Sequence, residues 1–311
     1  MFKFPISREN LEQLKEDDLA SLVKLDQNGL IIGNSESFEQ YKKRLTTLKT
    51  ELLDLEKELK ENDSVNIHRS VILKSDQLIS EQYFNEAADI TKKYSFSITW
   101  APGFFAVKTI GLFVGGFTLI SDSGFPIFIL KSSFMNKIKW LWYNRTELLT
   151  HELCHIARAP LADDPYEEFF AYRLSFSKFR RYVGNCFRSP LDSVFLLIPF
   201  FLLLAAELLN FVFNLNIPEA YFWIICFAYP LYLLERNRKT RKIYFNAKKS
   251  LTKHFGKEIN TEAILFRSVS NEISKISTFL DSDQKSILDY IKKLSNSNLR
   301  WKVIYERFFR I

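Results

Sequence analysis

The stretch Thr150-His151-Glu152-Leu153-Cys154-His155-Ile156 organises the reading of this 311-residue chain. It places two of only four histidines four positions apart, with a carboxylate directly after the first. On an α-helix, residues four apart share a face, so His151 and His155 can hold one zinc ion while Glu152 stays close enough to act on a bound water. The flanks supply the helix. Asn144, with Glu147 three residues on, reads as an N-cap and capping box, so the helix starts near Arg145. Pro160 ends it. Cys154, inside the motif, is expected to pack into the core as a small apolar residue.

A catalytic zinc site takes three protein ligands and keeps one position open. The next helix supplies the third ligand, and its start is marked by Asp164 as N-cap, Pro165 at the first helical position and Glu167 at the capping-box position. That assignment bends Glu167 back toward the Asp164 amide. Glu168 shares a face with Ala171, Tyr172 and Ser175 and is free to point at the preceding helix, which small Ala171 lets approach closely. His151, His155 and Glu168 then form a His2Glu set. Asp163 and Asp164 lie in the connecting turn and are the rival acids. A third histidine with its glycine is absent, because Arg158 and Leu161 stand at those places. His68 and His254 are expected to be structural or surface residues.

Two histidines on one helix and a glutamate on the next resemble the gluzincins, a family of zinc peptidases that includes membrane-bound and minimal single-domain members. Membrane-bound relatives include the CAAX-processing peptidases and their bacterial heat-shock counterparts. Glu168-Phe169-Phe170-Ala171-Tyr172 matches the family's Glu-x-x-Ala-Asp at all but the last position, and the similarity covers Ser95 to Tyr172. The resemblance implies a zinc cofactor, a peptide or protein substrate, and Glu152 as the base that takes the water's proton and passes it to the leaving amine. The family's missing aspartate orients a zinc-bound histidine, so Tyr172 leaves that role without an occupant. The oxyanion needs another donor, for which Tyr166, Tyr172 and Arg158 are near enough in sequence.

Upstream, five of the nine glycines fall between Gly103 and Gly124, among apolar and β-branched residues. Strands are expected near 96–102, 104–110, 113–121 and 125–133, with a turn at Ser123-Gly124. In gluzincin-like folds such a sheet packs on the metal-binding helix, and its edge strand can hold a peptide by strand addition.

Downstream, Val194 to Leu215 is a 22-residue apolar run broken only by Glu207 and two asparagines, long enough to cross a bilayer as a helix. Ala220 to Leu234 is charge-free but only fifteen residues long, about 22 Å at 1.5 Å per residue against a hydrocarbon core of ~30 Å. Lys178, Arg180, Arg181 and Arg188 stand before the pair, and Arg236, Arg238, Lys239, Arg241 and Lys242 after it. The positive-inside rule makes this a membrane hairpin with both termini and the zinc site on the cytoplasmic side. The soluble alternative is an apolar hairpin buried in a core, and Glu207 argues for it.

The net charge of +7 is gathered largely in those basic belts, where anionic headgroups attract them. No nucleic-acid-binding module is recognisable. Cys154, Cys186 and Cys226 are dispersed and odd in number, so no disulfide framework is expected. Near the N-terminus, Phe38, Tyr41, Leu45, Leu48, Leu52, Leu55 and Leu59 step by three and four, making a coiled-coil-like helix over 38–59. Its partner is either a second copy, giving a homo-oligomer, or an apolar face of the same chain.

The expected architecture is α+β. A small, mainly antiparallel sheet packs on the His-Glu-x-x-His helix and the glutamate helix, followed by a transmembrane hairpin and a helical tail. The regions are 1–80 (helical), 81–190 (metallopeptidase-like), 191–235 (hairpin) and 236–311 (helical, cytoplasmic). A scaffold that binds protein partners through its helices, with a decayed or structural zinc site, is the competing function. The intact Glu152 counts against decay, since two histidines hold a metal without it.

Overall fold

A computed structural model describes residues 2–67, 71–106 and 115–310. Helices dominate. Helices α1 (Arg8–Gln13) and α2 (Leu19–Gln27) precede the long α3 (Phe38–Asn62), which Ser37 and Gln40 open with a reciprocal capping box and Asp63 closes in the left-handed conformation. The apolar stripe of α3 is covered by its own chain: Tyr41, Leu45, Leu48, Leu52, Leu55 and Leu59 are all buried. Lys42 and Lys49 donate to the carbonyls of Glu12 and Ile6, tying the N-terminal segment across the helix. The stripe expected to need a partner finds it within the chain.

A hairpin of β1 (Ser64–Ile67) and β2 (Val71–Lys74), absent from the sequence expectation, leads to α4 (Glu81–Thr91). The segment 96–102 is not a strand. Its alternation is real, with Phe96, Ile98 and Trp100 buried. The backbone bonds elsewhere, Ser97 N–H to Gln27 O, and Trp100 Nε1 donates to Asn28 O. The buried face lies on other elements, and no ladder forms. The sheet consists of β3 (Gly103–Ala106), β4 (Gly116–Ile120) and β5 (Pro126–Lys131) in the order β3-β5-β4. It is mixed rather than mainly antiparallel: β3 runs parallel to β5, and β4 antiparallel to it. Residues 107–110 and 113–114 of the expected strands lie outside the described residues. The turn before β5 is where expected, with Gly124 at φ +86°, a value a side chain would resist.

The short β6 (Lys139–Trp140) and β7 (Tyr143–Asn144) pair just before α5 (Arg145–Arg158), which carries both motif histidines. Helices α6 (Asp164–Tyr172) and α7 (Lys178–Val183) follow. The core face of α5 buries Leu149, Leu153, Cys154 and Ala157. One apolar cluster joins the N-terminal helices, the sheet, α5 and α6 to the C-terminal helices, from Leu11 to Phe308.

Helix α8 (Pro190–Phe213) and the 36-residue α9 (Ala220–Phe255) pack on each other. Among the described residues one helical stretch, Leu191–Phe213, is long and apolar enough to cross a membrane: 23 residues, with a mean hydropathy of 2.3 over its most apolar 18, mostly exposed. The second expected span does not qualify. Its charge-free stretch is the opening of α9, which continues as a basic amphipathic helix with Tyr244, Ala247 and Leu251 in the core. Helices α10 (Thr261–Phe266), α11 (Ser270–Thr278), α12 (Gln284–Ser297) and α13 (Leu299–Phe308) complete the chain. Buried ion pairs bind this tail to the N-terminal region: Arg267 and Arg307 both engage Asp26 of α2.

Candidate metal centre and cleft

Helix α5 begins where its cap dictates. Asn144 Oδ1 accepts from the amides of Thr146 (2.9 Å) and Glu147 (3.2 Å). Glu147 does not reciprocate; its Oε2 takes a hydrogen bond from Arg180 Nη2 at 2.9 Å instead. The helix turns His151 and His155 away from the core, and their Nε2 atoms stand 3.1 Å apart. Glu168 of α6 brings Oε2 to 3.6 Å from His151 Nε2 and Oε1 to 3.7 Å from His155 Nε2. The three ligand atoms lie within 4.8 Å of one another. Two ligand atoms about 2.0–2.1 Å from a tetrahedral zinc stand roughly 3.4 Å apart, so the separations suit such an ion. Two imidazoles and one carboxylate are a donor set that could hold a metal ion.

The adjacent acids separate differently from the capping argument. Asp163, not Asp164, is the N-cap of α6, and its side chain makes no capping bond. Asp163 is drawn off by Arg158 Nη2 at 2.9 Å and by the Ser270 amide at 2.9 Å. Glu167 is therefore not folded back on the helix start. Its Oε1 lies 3.0 Å from His155 Nδ1, and its Oε2 lies 3.4 Å from Arg158 Nε. Glu167 thus occupies the histidine-orienting position that the sequence left empty at Tyr172. No local signal marks this role, because it depends on how α5 and α6 cross.

Burial, helped by the charges of His155 and Arg180, holds the His151 pKa well below the usual imidazole value, so this ring is neutral as a metal ligand must be. At His155 burial pulls the other way from its neighbours. The Glu167 bond and the Glu168 and Glu152 charges outweigh it and set the pKa at about 9. Glu152 is buried, which raises its pKa despite the nearby His155 and a hydrogen bond from Thr118 Oγ1 to its Oε2 at 2.6 Å. Thr118, in the middle of β4, carries no sequence signal beyond its strand.

An open cleft of about 690 Å³ runs along α5, floored by β4 and walled by Glu167 and Glu168 of α6. Two flanking bonds, Lys131 N–H to Gly115 O and Ser121 N–H to Phe125 O, set the parity of the β4–β5 ladder, so odd-numbered residues of β4 bond inward. The amides and carbonyls of Gly116, Thr118 and Ile120 turn to the outer edge, where no other strand lies among the described residues.

Of the expected oxyanion donors, Tyr172 is beside the cluster but outside the cleft itself: its ring stands edge-on to His151 at 4.6 Å between centroids and lines an adjoining hollow. Tyr166 lines neither: it is buried, and its hydroxyl donates to Thr240 O at 3.4 Å. Arg158 is fully buried and committed to Asp163, Glu167 and the Phe266 carbonyl. Arg180, which the sequence marked only as part of a basic belt, lines a hollow with Tyr143, His151, Glu152 and Tyr172. His254 packs with its Nε2 3.0 Å from Phe279 O; His68 lies outside the described residues. Among known proteins, no family model, no curated protein and no solved structure matches the chain.

Proposed function

We propose that this chain is a membrane-anchored, zinc-dependent peptidase of gluzincin type that works on the cytoplasmic side. One observation carries the reading. Two imidazoles and a carboxylate converge to zinc-ligand separations beside a buried glutamate, in an open cleft along a strand edge that no other described strand pairs with. His151, His155 and Glu168 would hold the zinc, which would supply a Lewis acid for a carbonyl and lower the pKa of a bound water to about 7.

The chain's own groups do the rest. Glu152 keeps Oε2 on Thr118 and leaves Oε1 to take a proton from water. The raised pKa suits a group that must accept that proton and then surrender it to a leaving amine. Glu167 accepts from His155 Nδ1, which fixes the tautomer that presents Nε2 to the metal. The outer edge of β4 can align an extended peptide by strand addition across the cleft. Tyr172 is the remaining candidate to donate to the oxyanion.

For the membrane, we read α8 and the start of α9 as a hairpin rather than a single pass. Near the start of α8, Asp192 pairs with Arg236 at 2.8 Å, just past the apolar part of α9, which supports a chain that returns to the face it left. At the far end Asn210 closes the turn, bonding both the amide and the carbonyl of Ile217. A soluble surface would not leave Phe201, Phe211, Ile224 and Leu231 each more than three-fifths exposed. The basic belts at the base favour the cytoplasmic side.

The purified full chain should carry about one zinc, and Glu152→Gln should keep the metal and lose peptide hydrolysis. Metal analysis beside peptide-library turnover decides. Hydrolysis unaffected by the substitution would refute the assignment of Glu152, and a zinc-loaded wild type without turnover would favour the scaffold.

A further inference from the structure

We propose that the face formed by α7 and the turn after it is a second membrane contact, an amphipathic collar seated in the headgroup layer of an anionic bilayer. It rests on the hairpin reading above. Phe176, Phe179, Tyr182 and Phe187 are 56%, 72%, 42% and 37% exposed. Phe179 and Tyr182 stand one three-residue step apart on α7, Phe176 lies just before its Ser177 cap and Phe187 in the turn after it, and the exposed Lys178 and Arg181 are interleaved with the first three. Four exposed aromatic side chains between residues 176 and 187 are costly in water, and rings beside basic residues are the composition that settles at a lipid–water boundary.

Position selects the occupant. The collar is fastened to α9 just beyond the apolar run: Arg236 Nη2 donates to Cys186 O (2.6 Å), Asn237 Nδ2 to Tyr182 O (2.5 Å) and Arg241 Nη1 to Arg181 O (3.0 Å). These anchors lie two, three and seven residues past Leu234, the last residue of that run. At 1.5 Å per residue they sit within about 10 Å of the hydrocarbon edge, against a headgroup layer of roughly 5–8 Å per leaflet. The apolar surface is also continuous with α8, since Leu191 and Val194 are 59% and 47% exposed. Exposed Arg238, Lys239 and Lys242 extend the positive charge around the base.

A hollow of about 500 Å³ opens between Phe179, Phe187 and Ser193 of α8, and its inner wall is Glu168 and Tyr172. With the collar in the headgroups, this mouth of the metal centre opens at the lipid surface.

Site-directed spin labelling of the full chain, reconstituted in phosphatidylserine-containing nanodiscs, tests the proposal. Labels go on Phe179→Cys, with Phe201→Cys on α8 and Lys57→Cys on exposed α3 as references; the three native cysteines are buried. Oxygen against water-soluble nickel collision rates report depth. The label at 179 should read as shallow immersion, between an oxygen-favoured 201 and a nickel-favoured 57. Phe176→Cys should agree, which guards against local disruption at 179. Labels at 176 and 179 as water-exposed as the one at 57, with 201 immersed, would overturn the collar and leave the hairpin standing. Water exposure at 201 as well would remove the hairpin reading and the collar with it.

Discussion

Glu167 and Glu168 are neighbours in sequence with separate tasks, set by which imidazole atom each meets. Glu168 reaches the two Nε2 atoms and Glu167 reaches Nδ1 of His155. Glu168→Ala should therefore abolish stoichiometric zinc. Glu167→Ala should leave the ligand set intact and weaken zinc roughly 10–100-fold, the usual cost of losing a histidine's outer partner. Competition with a chromophoric chelator measures both, and equal losses would mean that Glu167 is itself a ligand. Thr118 makes a second distinction. Its hydroxyl is 2.6 Å from Glu152, so Thr118→Val should spare zinc content and lower kcat. A hydrogen bond to a charged group is worth about 1.5–3 kcal/mol, which bounds the loss at roughly 10–150-fold. An unchanged kcat would show that Glu152 is placed by its own helix alone.

At the scale of elements, local rules succeeded where they concern one helix. The Asn144 cap, the span of α5 and the turn at Gly124 all follow from side chains bonding their own backbone. They failed where another residue or a better partner intervened: the cap position of α6 fell to Asp163 rather than Asp164, and Glu167 and Glu147 left their capping boxes for His155 and Arg180. The heptad helix shows the same limit, because periodicity marks the face to be covered and not what covers it. Since Leu48 is buried within the chain, Leu48→Ala should cost about 2–5 kcal/mol whatever the protein concentration. Thermal unfolding at several concentrations reads this, and a concentration-dependent midpoint would restore the dimer.

For the whole molecule, the hairpin predicts that both termini lie on one side of the membrane. Protease added outside intact cells should spare tags at either end, and alkaline washing should leave the chain in the membrane pellet. Cleavage of one terminal tag alone would indicate a single pass. Legible in the residues alone were the α5 helix with its two histidines and glutamate, the approach of Glu168 from α6, three of the four expected strands in part, and an apolar helix expected over 194–215 and found over 191–213. Each of these rests on spacing along one element, where the backbone's own period fixes which side chains share a face. Tertiary structure alone decided the parallel pairing of β3 with β5, the internal burial of the α3 stripe, the hold of Thr118 on Glu152 and the turn of Glu167 toward His155. It also decided the joining of the chain's two ends through Asp26, Arg267 and Arg307. Those contacts span 12 to 281 positions, so they depend on how whole elements pack, which no local period encodes.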